Sequence, residues 1–340
     1  MNTKQIIFTS PCVAELLDRQ PREMTDDDVL VETAVSSLSS GTERAIVSGD
    51  PNVSIYSTDP VAHFPRESGY SSAGTVIAVG KNVKKVAVGD RVVVSWGAHA
   101  KHQVLREDWN ITKISDDRIS FSEAALFHIG TFPLAAIRKC HLEIGESAIV
   151  MGLGVLGMMA VQLLRAAGAV PIIAADPVAK KREEALRFGA DYALDPLAPD
   201  FVDTVKKITN GGANVAIEVT GFGSALDGVL DCMAPFGRVA LLGCTRDRNF
   251  TIDYYRKVHG PGIALIGAHT NARPARESSA GLWTTFDDVT ALIRLTAAGR
   301  IDLGAMVSET HIPTDCGEVY ARLCREKSFP LVQFDWSTIK

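Results

Sequence analysis

The chain lacks the cysteine patterns from which metal sites and disulfide frameworks are read. Its six cysteines, Cys12, Cys140, Cys232, Cys244, Cys316 and Cys324, lie far apart. None sits two to four residues from another, the spacing structural zinc sites use. They read as reduced thiols in a cytoplasmic chain. Met1-Asn2-Thr3-Lys4-Gln5 has no apolar core of the signal-peptide kind and runs straight into the strand-like Ile6-Ile7-Phe8. There is no cationic excess either: 35 Lys and Arg stand against 40 Asp and Glu, a net charge of −5. No field of one sign is available to condense on phosphate backbones or anionic lipid, which sets aside nucleic acid and membrane surfaces as partners. Repeats and low-complexity tracts are missing as well. One run, Ala148 to Leu164, approaches membrane-span length, but Gly152, Gly154 and Gly157 interrupt it, so it reads as a buried strand turning into a buried helix.

What is present is a soluble, globular composition, 46% hydrophobic and 22% charged over 340 residues. At roughly 150 residues per domain, two domains are expected. To about Asp117 the signals are short and strand-like: Asp28–Val35, Gly74–Gly80, Arg91–Ser95 and His102–Leu105, punctuated by Gly, Asp, Asn and Pro. From about Gly145 strands and helices alternate, the pattern of βαβ units on a parallel sheet. Strands are expected near 147–151, 171–175, 192–194, 215–219, 238–242 and 263–267. Helices are expected near 154–167, 178–188, 200–209 and 223–233, with a further helix near 286–298 and a last strand at 331–334.

The most informative segment is Ala148-Ile-Val-Met151 followed by Gly152, Leu153, Gly154, Val155, Leu156 and Gly157. A glycine triplet of this spacing between a buried strand and a helix is a dinucleotide-binding fingerprint. The first glycine makes the tight turn, the second lets backbone approach a pyrophosphate, and the third packs helix on strand. Asp176 ends the next strand, where a carboxylate accepts from the adenosine ribose hydroxyls and repels a ribose phosphate, so NAD is favoured over NADP. Lys181, with Lys180 and Arg182, offers a cation one turn later that partly accommodates such a phosphate, or simply a solvated helix face. Thr220 and Gly243, near the ends of two later strands, complete the cofactor set.

Ser40-Gly41-Thr42-Glu43, Gly69-Tyr-Ser-Ser-Ala-Gly74, Val79-Gly80, Gly89-Asp-Arg-Val92, the Gly152 fingerprint, Gly189-Ala190-Asp191 and Val219-Thr-Gly221 together resemble the medium-chain dehydrogenase/reductase superfamily of alcohol and polyol dehydrogenases. The likeness covers nearly the whole chain. It implies an α/β protein with a GroES-like antiparallel catalytic domain, residues 1–127 and 268–340, around a central Rossmann NAD-binding domain, residues 128–267. Zinc members of that superfamily carry a cysteine where this chain has Ser40 and a histidine where it has Tyr70, and the third ligand position falls at or beside His128. A hydroxyl and a phenol are poor zinc ligands. The chain therefore looks like a zinc-lacking subgroup, and no metal is expected.

Without zinc, alcohol oxidation needs another proton acceptor, and His128 is the leading candidate because imidazole titrates near neutrality. Tyr70 would donate to the substrate oxygen, Thr42 would pass a proton as the matching hydroxyl does in the family, and Ser40 and Glu43 complete the catalytic set. His269 and Arg273, in a polar loop, and Trp96 are expected to contact substrate. The expected reaction is hydride exchange between nicotinamide and a secondary alcohol, a polyol or sugar derivative. Alternatives are a metal-free quinone or enone reductase and a non-catalytic nucleotide-binding protein. A homodimer or homotetramer is expected, joined through the apolar run Ile263–Gly267 as an open sheet edge.

Overall fold

The computed structural model describes residues 2–50, 61–244 and 249–339. The chain begins with strands β1 (Thr3–Ser10), β2 (Val13–Arg19) and β3 (Asp28–Ser37), then helix α1 (Ser40–Ser48). There follow β4 (Ser71–Val79), β5 (Arg91–Ser95), β6 (His102–Arg106), α2 (Glu107–Asn110), β7 (Ile111–Lys113) and α3 (Phe121–Ala124). Helix α4 (Phe127–Lys139) leads into β8 (Ala148–Met151), α5 (Val155–Ala167), β9 (Ile172–Ala175), α6 (Ala179–Arg187) and β10 (Tyr192–Leu194). Next come α7 (Phe201–Ile208), β11 (Ala213–Glu218), α8 (Gly223–Asp231), β12 (Met233–Leu241) and β13 (Ala264–Gly267). The chain closes with α9 (Thr285–Ala297), β14 (Glu309–His311), α10 (Cys316–Arg325) and β15 (Val332–Asp335).

Two compact units result, Met1–Ile129 with Val289–Lys340, and Gly130–Asp288. Against the expected bounds of 1–127 with 268–340 and 128–267, residues 128–129 group with the first unit and 268–288 with the second. In the first unit β3 is the hub: it pairs antiparallel with β4, β6 and β15, so the end of the chain is stitched to its beginning. Val29, Val31, Val76, Val92, Val94 and Leu105 from β3, β4, β5 and β6 fill one core. A second core gathers Phe8, Leu38, Val319, Tyr320, Phe334 and Trp336. Helix α10 contributes through a stripe of buried residues, Cys316, Val319, Tyr320 and Leu323, at the three- and four-residue spacing of one helix face.

The second unit is an all-parallel sheet in the order β10-β9-β8-β11-β12-β13. Chain order reverses between β8 and β11, and in such sheets ligands sit at the carboxyl ends of the strands beside that reversal. Every residue of β8 and β9 is buried, as expected of strands covered on both faces. The six expected strands and four expected helices of this region match β8 to β13 and α5 to α8 to within a few residues. Strand β13 ends the sheet and is largely exposed.

The expectation for the cysteines is overturned. Cys12, in the turn after β1, forms a disulfide with Cys324 on α10. The reading of all six cysteines as reduced thiols fails because it used spacing along the chain, and these two lie 312 residues apart. The pairing follows from the packing of α10 beside the β1–β2 ribbon, which no local pattern reveals. Cys140, Cys232 and Cys316 are buried free thiols and Cys244 is an exposed one.

Glu309 on β14 supplies a pH test of this end of the first unit. Its carboxyl is held down to about 2, first by the Arg322 guanidinium and then by His311. Arg322 Nη1 lies 2.8 Å and His311 Nε2 2.9 Å from its Oε2. Because the folded carboxyl ionises below its unfolded value of about 4.3, its stabilisation is complete above that value and is lost as pH falls toward about 2. Urea unfolding between pH 5 and 2 is expected to show a shallower loss of stability for Glu309→Gln than for the parent, on the order of the shifted carboxyl's share.

Candidate functional site

In the second unit the carboxyl ends of β8, β11 and β12 converge on the glycine loop. Gly152 has φ +98°, a left-handed conformation that side chains resist. A Cβ on Gly157 would lie 1.9 Å from the Gly152 carbonyl oxygen, so only glycine lets α5 start this close to β8. Around Gly154, by contrast, a Cβ would meet nothing within 4 Å. Gly154 is exposed and caps the first turn of α5, so its surroundings leave room for a ligand over backbone N–H groups at a helix N-terminus. Leu153 is buried, while Val155 and Leu156 are partly exposed on the first turn.

Asp176 follows β9 and is 5% exposed. Its Oδ2 accepts from the Leu153 N–H at 2.9 Å and its Oδ1 from the Val178 N–H at 2.9 Å. The acid is thus tied to the glycine loop itself, and each oxygen keeps a further lone pair for a ribose hydroxyl. Lys181 Nζ stands 3.8 Å from Oδ2. Arg182 donates to the carbonyls of Asp176 and Pro177, at 2.7 and 2.9 Å, which holds it against its own helix start.

Thr220 and Gly243 lie at the neighbouring strand ends. The Thr220 methyl would lie 2.7 Å from a Cβ on Gly152, and a Cβ on Gly243 would lie 2.4 Å from the Gly221 nitrogen. Glu218, which the sequence reading passed over, organises this turn. It is 2% exposed, and it accepts from the Thr220 N–H at 2.7 Å, from the Thr220 hydroxyl and from the Gly221 N–H. Burial pushes its carboxyl up from the ordinary range, against the downward pull of these donors. An acid closing a parallel strand, as Asp176 also does, was the available signal.

In the first unit three rings meet. Tyr70 and Trp96 have centroids 5.7 Å apart, Tyr70 and His128 5.7 Å, and Trp96 and His128 4.6 Å, the two histidine contacts edge-to-face. Trp96 donates its backbone N–H to the Tyr70 carbonyl at 2.8 Å. Gly69 has φ +109°, and a Cβ there would lie 2.0 Å from the His99 nitrogen, which fixes glycine before Tyr70. His128 is the second residue of α4 and wholly buried. Tyr70 and Trp96 are partly exposed.

Ser40 and Thr42 are partly exposed on the first turn of α1. Glu43, 0% exposed, accepts from the Ser39 N–H at 2.9 Å and from the Tyr320 hydroxyl at 2.5 Å, and lies 3.1 Å from His99 Nε2. It is a buried structural acid rather than a substrate contact, because its oxygens are consumed by these partners. His269 lies in the second unit, its Nδ1 accepting from the Asn271 N–H at 3.2 Å, and burial lowers its basicity. Arg273, also in the second unit, has a side chain 7% exposed; it lies 3.3 Å from Asp288 and donates to the Thr131 carbonyl at 2.8 Å. Arg138 reaches the same carboxylate at 2.8 Å and stacks 3.6 Å from the centroid of Trp283. The expected role of Arg273 in holding substrate gives way to a buried ion cluster.

Among the described residues no three His, Cys, Asp or Glu side chains converge in a set that could hold a metal ion.

Residues 25–127 match the family model of the alcohol dehydrogenase GroES-like domain, and residues 155–283 that of zinc-binding dehydrogenase. D-guloside 3-dehydrogenase of Escherichia coli (strain K12) is 26% identical over 289 residues, 80% of this chain and 82% of that one. Sorbitol dehydrogenase of Bacillus subtilis (strain 168) is 29% identical over 214 residues, 54% of this chain and 60% of its own. The crystal structure of 2R,3R-butanediol dehydrogenase from Bacillus subtilis superposes with a TM-score of 0.82 at 21% identity, covering 98% of this chain and 99% of that chain, a likeness of fold.

The placement of Arg273 is open to a direct check. Arg273→Ala and Asp288→Ala each strip a partner from a buried ion cluster, which costs about 3–5 kcal/mol. Urea denaturation is expected to show losses of that order. Unchanged stability with a raised KM would return Arg273 to the substrate.

Proposed function

Because the chain belongs to the zinc-type medium-chain dehydrogenase/reductase family, enzymes that act on CH–OH groups, we propose that it is an NAD-dependent, zinc-independent oxidoreductase of a secondary alcohol, a polyol or sugar derivative. The observation that carries the cofactor half is Asp176, buried and bonded to the Leu153 N–H of the glycine loop. Its carboxylate meets a ribose phosphate as a like charge and a ribose hydroxyl as a donor. The loop around Gly154 and the start of α5 hold the pyrophosphate, and Glu218 keeps Thr220 beside Gly152. Nicotinamide, when bound, supplies the hydride acceptor or donor.

The metal half rests on the donor set. The family's zinc would need thiolate and imidazole at the positions held by Ser40 and Tyr70, and neither side chain suits the ion. The residues present do not fit zinc, and the chemistry is assigned to the rings instead. His128 takes the proton from the substrate hydroxyl or returns it. Tyr70, with an O–H to donate, stabilises the developing negative oxygen. Thr42 and Ser40, on α1, are assigned the onward passage of the proton. The alcohol-bearing carbon of a polyol suits this arrangement because it has neighbouring hydroxyls for such polar side chains to orient.

Titration with NADH and NADPH is expected to show a clear preference for NADH, narrowed in Asp176→Ser, whose hydroxyl neither repels a phosphate nor chelates a ribose. Equal or tighter NADPH binding by the parent would overturn the cofactor assignment and favour a quinone or enone reductase.

Turnover of a polyol and glycoside panel, before and after chelator treatment, tests the rest. Activity is expected to survive chelation, and His128→Gln is expected to lower kcat by about a hundredfold or more with NAD affinity unchanged. Zinc-dependent turnover, or a near-normal kcat and pH profile in His128→Gln, would assign the proton transfer elsewhere.

A further inference from the structure

A cleft of about 700 Å³ lies within the first unit, lined by β1, by β2 and the residues after it, by Glu67, by the connection from β5 to β6 and by β6 itself. Three features mark it as more than a surface irregularity. Trp96 forms part of its wall, and that residue has φ +58°, a left-handed backbone costing a non-glycine residue about 1–2 kcal/mol. Strain of this kind persists where the surroundings enforce it, and it clusters at binding sites. His102, also on the wall, has a buried ring Nδ1 with no hydrogen-bond partner. Buried polar atoms are nearly always satisfied, so an orphan on a residue that lines the cleft calls for an explanation, and a ligand or water reaching that ring supplies one. Glu67 and Gln5 are coupled along the wall, the Gln5 amide donating to Glu67 Oε2 at 2.6 Å.

The charges on the wall are mixed rather than of one sign. Arg22 is held in a two-pronged pair by Asp28, at 2.5 and 2.7 Å, and Asp18 is paired with Lys4 at 2.8 Å. That leaves carboxylate, guanidinium, amide and imidazole groups, from Glu67, Arg19, Gln20 and His102, on the wall that Trp96 shares. Planar hydrogen-bonding side chains beside an aromatic ring suit a ligand with apolar C–H faces and a rim of hydroxyls. Trp96 also belongs to the ring trio, 4.6 Å from His128, so a molecule in the cleft shares a wall with the proposed proton acceptor.

We propose that this cleft binds a polyhydroxylated ring, stacked on Trp96 and hydrogen-bonded by His102 and Glu67, and that the ring is the second sugar of a glycoside substrate. The second clause rests on the sugar-alcohol reading above; ring binding in the cleft does not.

Calorimetric titration of the full chain, without nicotinamide, with a panel of disaccharides and their component monosaccharides reads binding independently of turnover. Disaccharide affinity is expected to fall about tenfold in His102→Ala and in Glu67→Gln, the effect of one lost hydrogen bond. Turnover of the matching methyl glycosides is expected to stay within about twofold of the parent by the same criterion. Gln20→Trp, on the exposed rim after β2, blocks the cleft without touching its buried wall and is expected to abolish the same heat. Absence of binding by any sugar, or binding indifferent to all three substitutions, overturns the site. A component monosaccharide that binds there and inhibits disaccharide turnover competitively supports the second-ring assignment. Binding without competition overturns that assignment. Failure of every alcohol to turn over, with binding intact, refutes the enzymatic reading alone.

Discussion

The second unit depends on one steric constraint: at the carboxyl ends of its central strands, backbone meets backbone with no room for a side chain between. Gly157 under the Gly152 carbonyl and Gly243 against the Gly221 nitrogen are contacts that any Cβ would push apart. This closeness lets α5 begin directly after β8, with open space around its N-cap Gly154. Two acids maintain it from either side. Asp176 binds the loop through Leu153, and Glu218 binds the turn through Thr220 and Gly221. The shape of the loop is therefore set before any ligand arrives, because it is held by hydrogen bonds within the chain.

The first unit solves a different problem, the burial of polar groups in a β-rich core. Ser36, on β3, accepts from Trp336 at 2.8 Å and contacts His99 Nδ1 at 2.7 Å; His99 in turn meets Glu43, and Glu43 meets Tyr320. Each member would be costly alone in this interior, and the chain of partners removes that cost. The Tyr320 hydroxyl is pushed well above its ordinary range by burial and by the adjacent Glu43 carboxylate, so it remains a donor. The network draws on β3, α1, the segment after β5, α10 and the chain end. It explains why Glu43, beside the motif residues Ser40 and Thr42, serves the scaffold that carries them.

Family likeness and local packing describe different levels of the first unit. The match to a zinc-binding dehydrogenase concerns the framework. Tyr70 packs against an indole and an imidazole. Aromatic edge-to-face contacts of this kind hold ring orientation through packing rather than coordination.

Residue order alone determined the parallel half of this protein. The apolar strand before the glycine triplet, the acid at the next strand end and the alternation of periods two and 3.6 are local patterns, and βαβ units are built from local patterns. The strands and helices read from 147 to 267 accordingly lie where the structure has them. Tertiary structure decided what depends on residues distant in sequence. Cys12 meets Cys324 only because α10 packs beside the β1–β2 ribbon. Arg273 reads as a loop cation until Asp288 and Thr131 are brought to it, and Glu43 reads as part of a catalytic motif until Tyr320 arrives from 277 positions away. Trp96, an unremarkable aromatic in the sequence, becomes informative once its backbone conformation, its two ring neighbours and the cleft behind it are known together. Pairings of this kind arise from packing across the fold, and no window of neighbouring residues contains them.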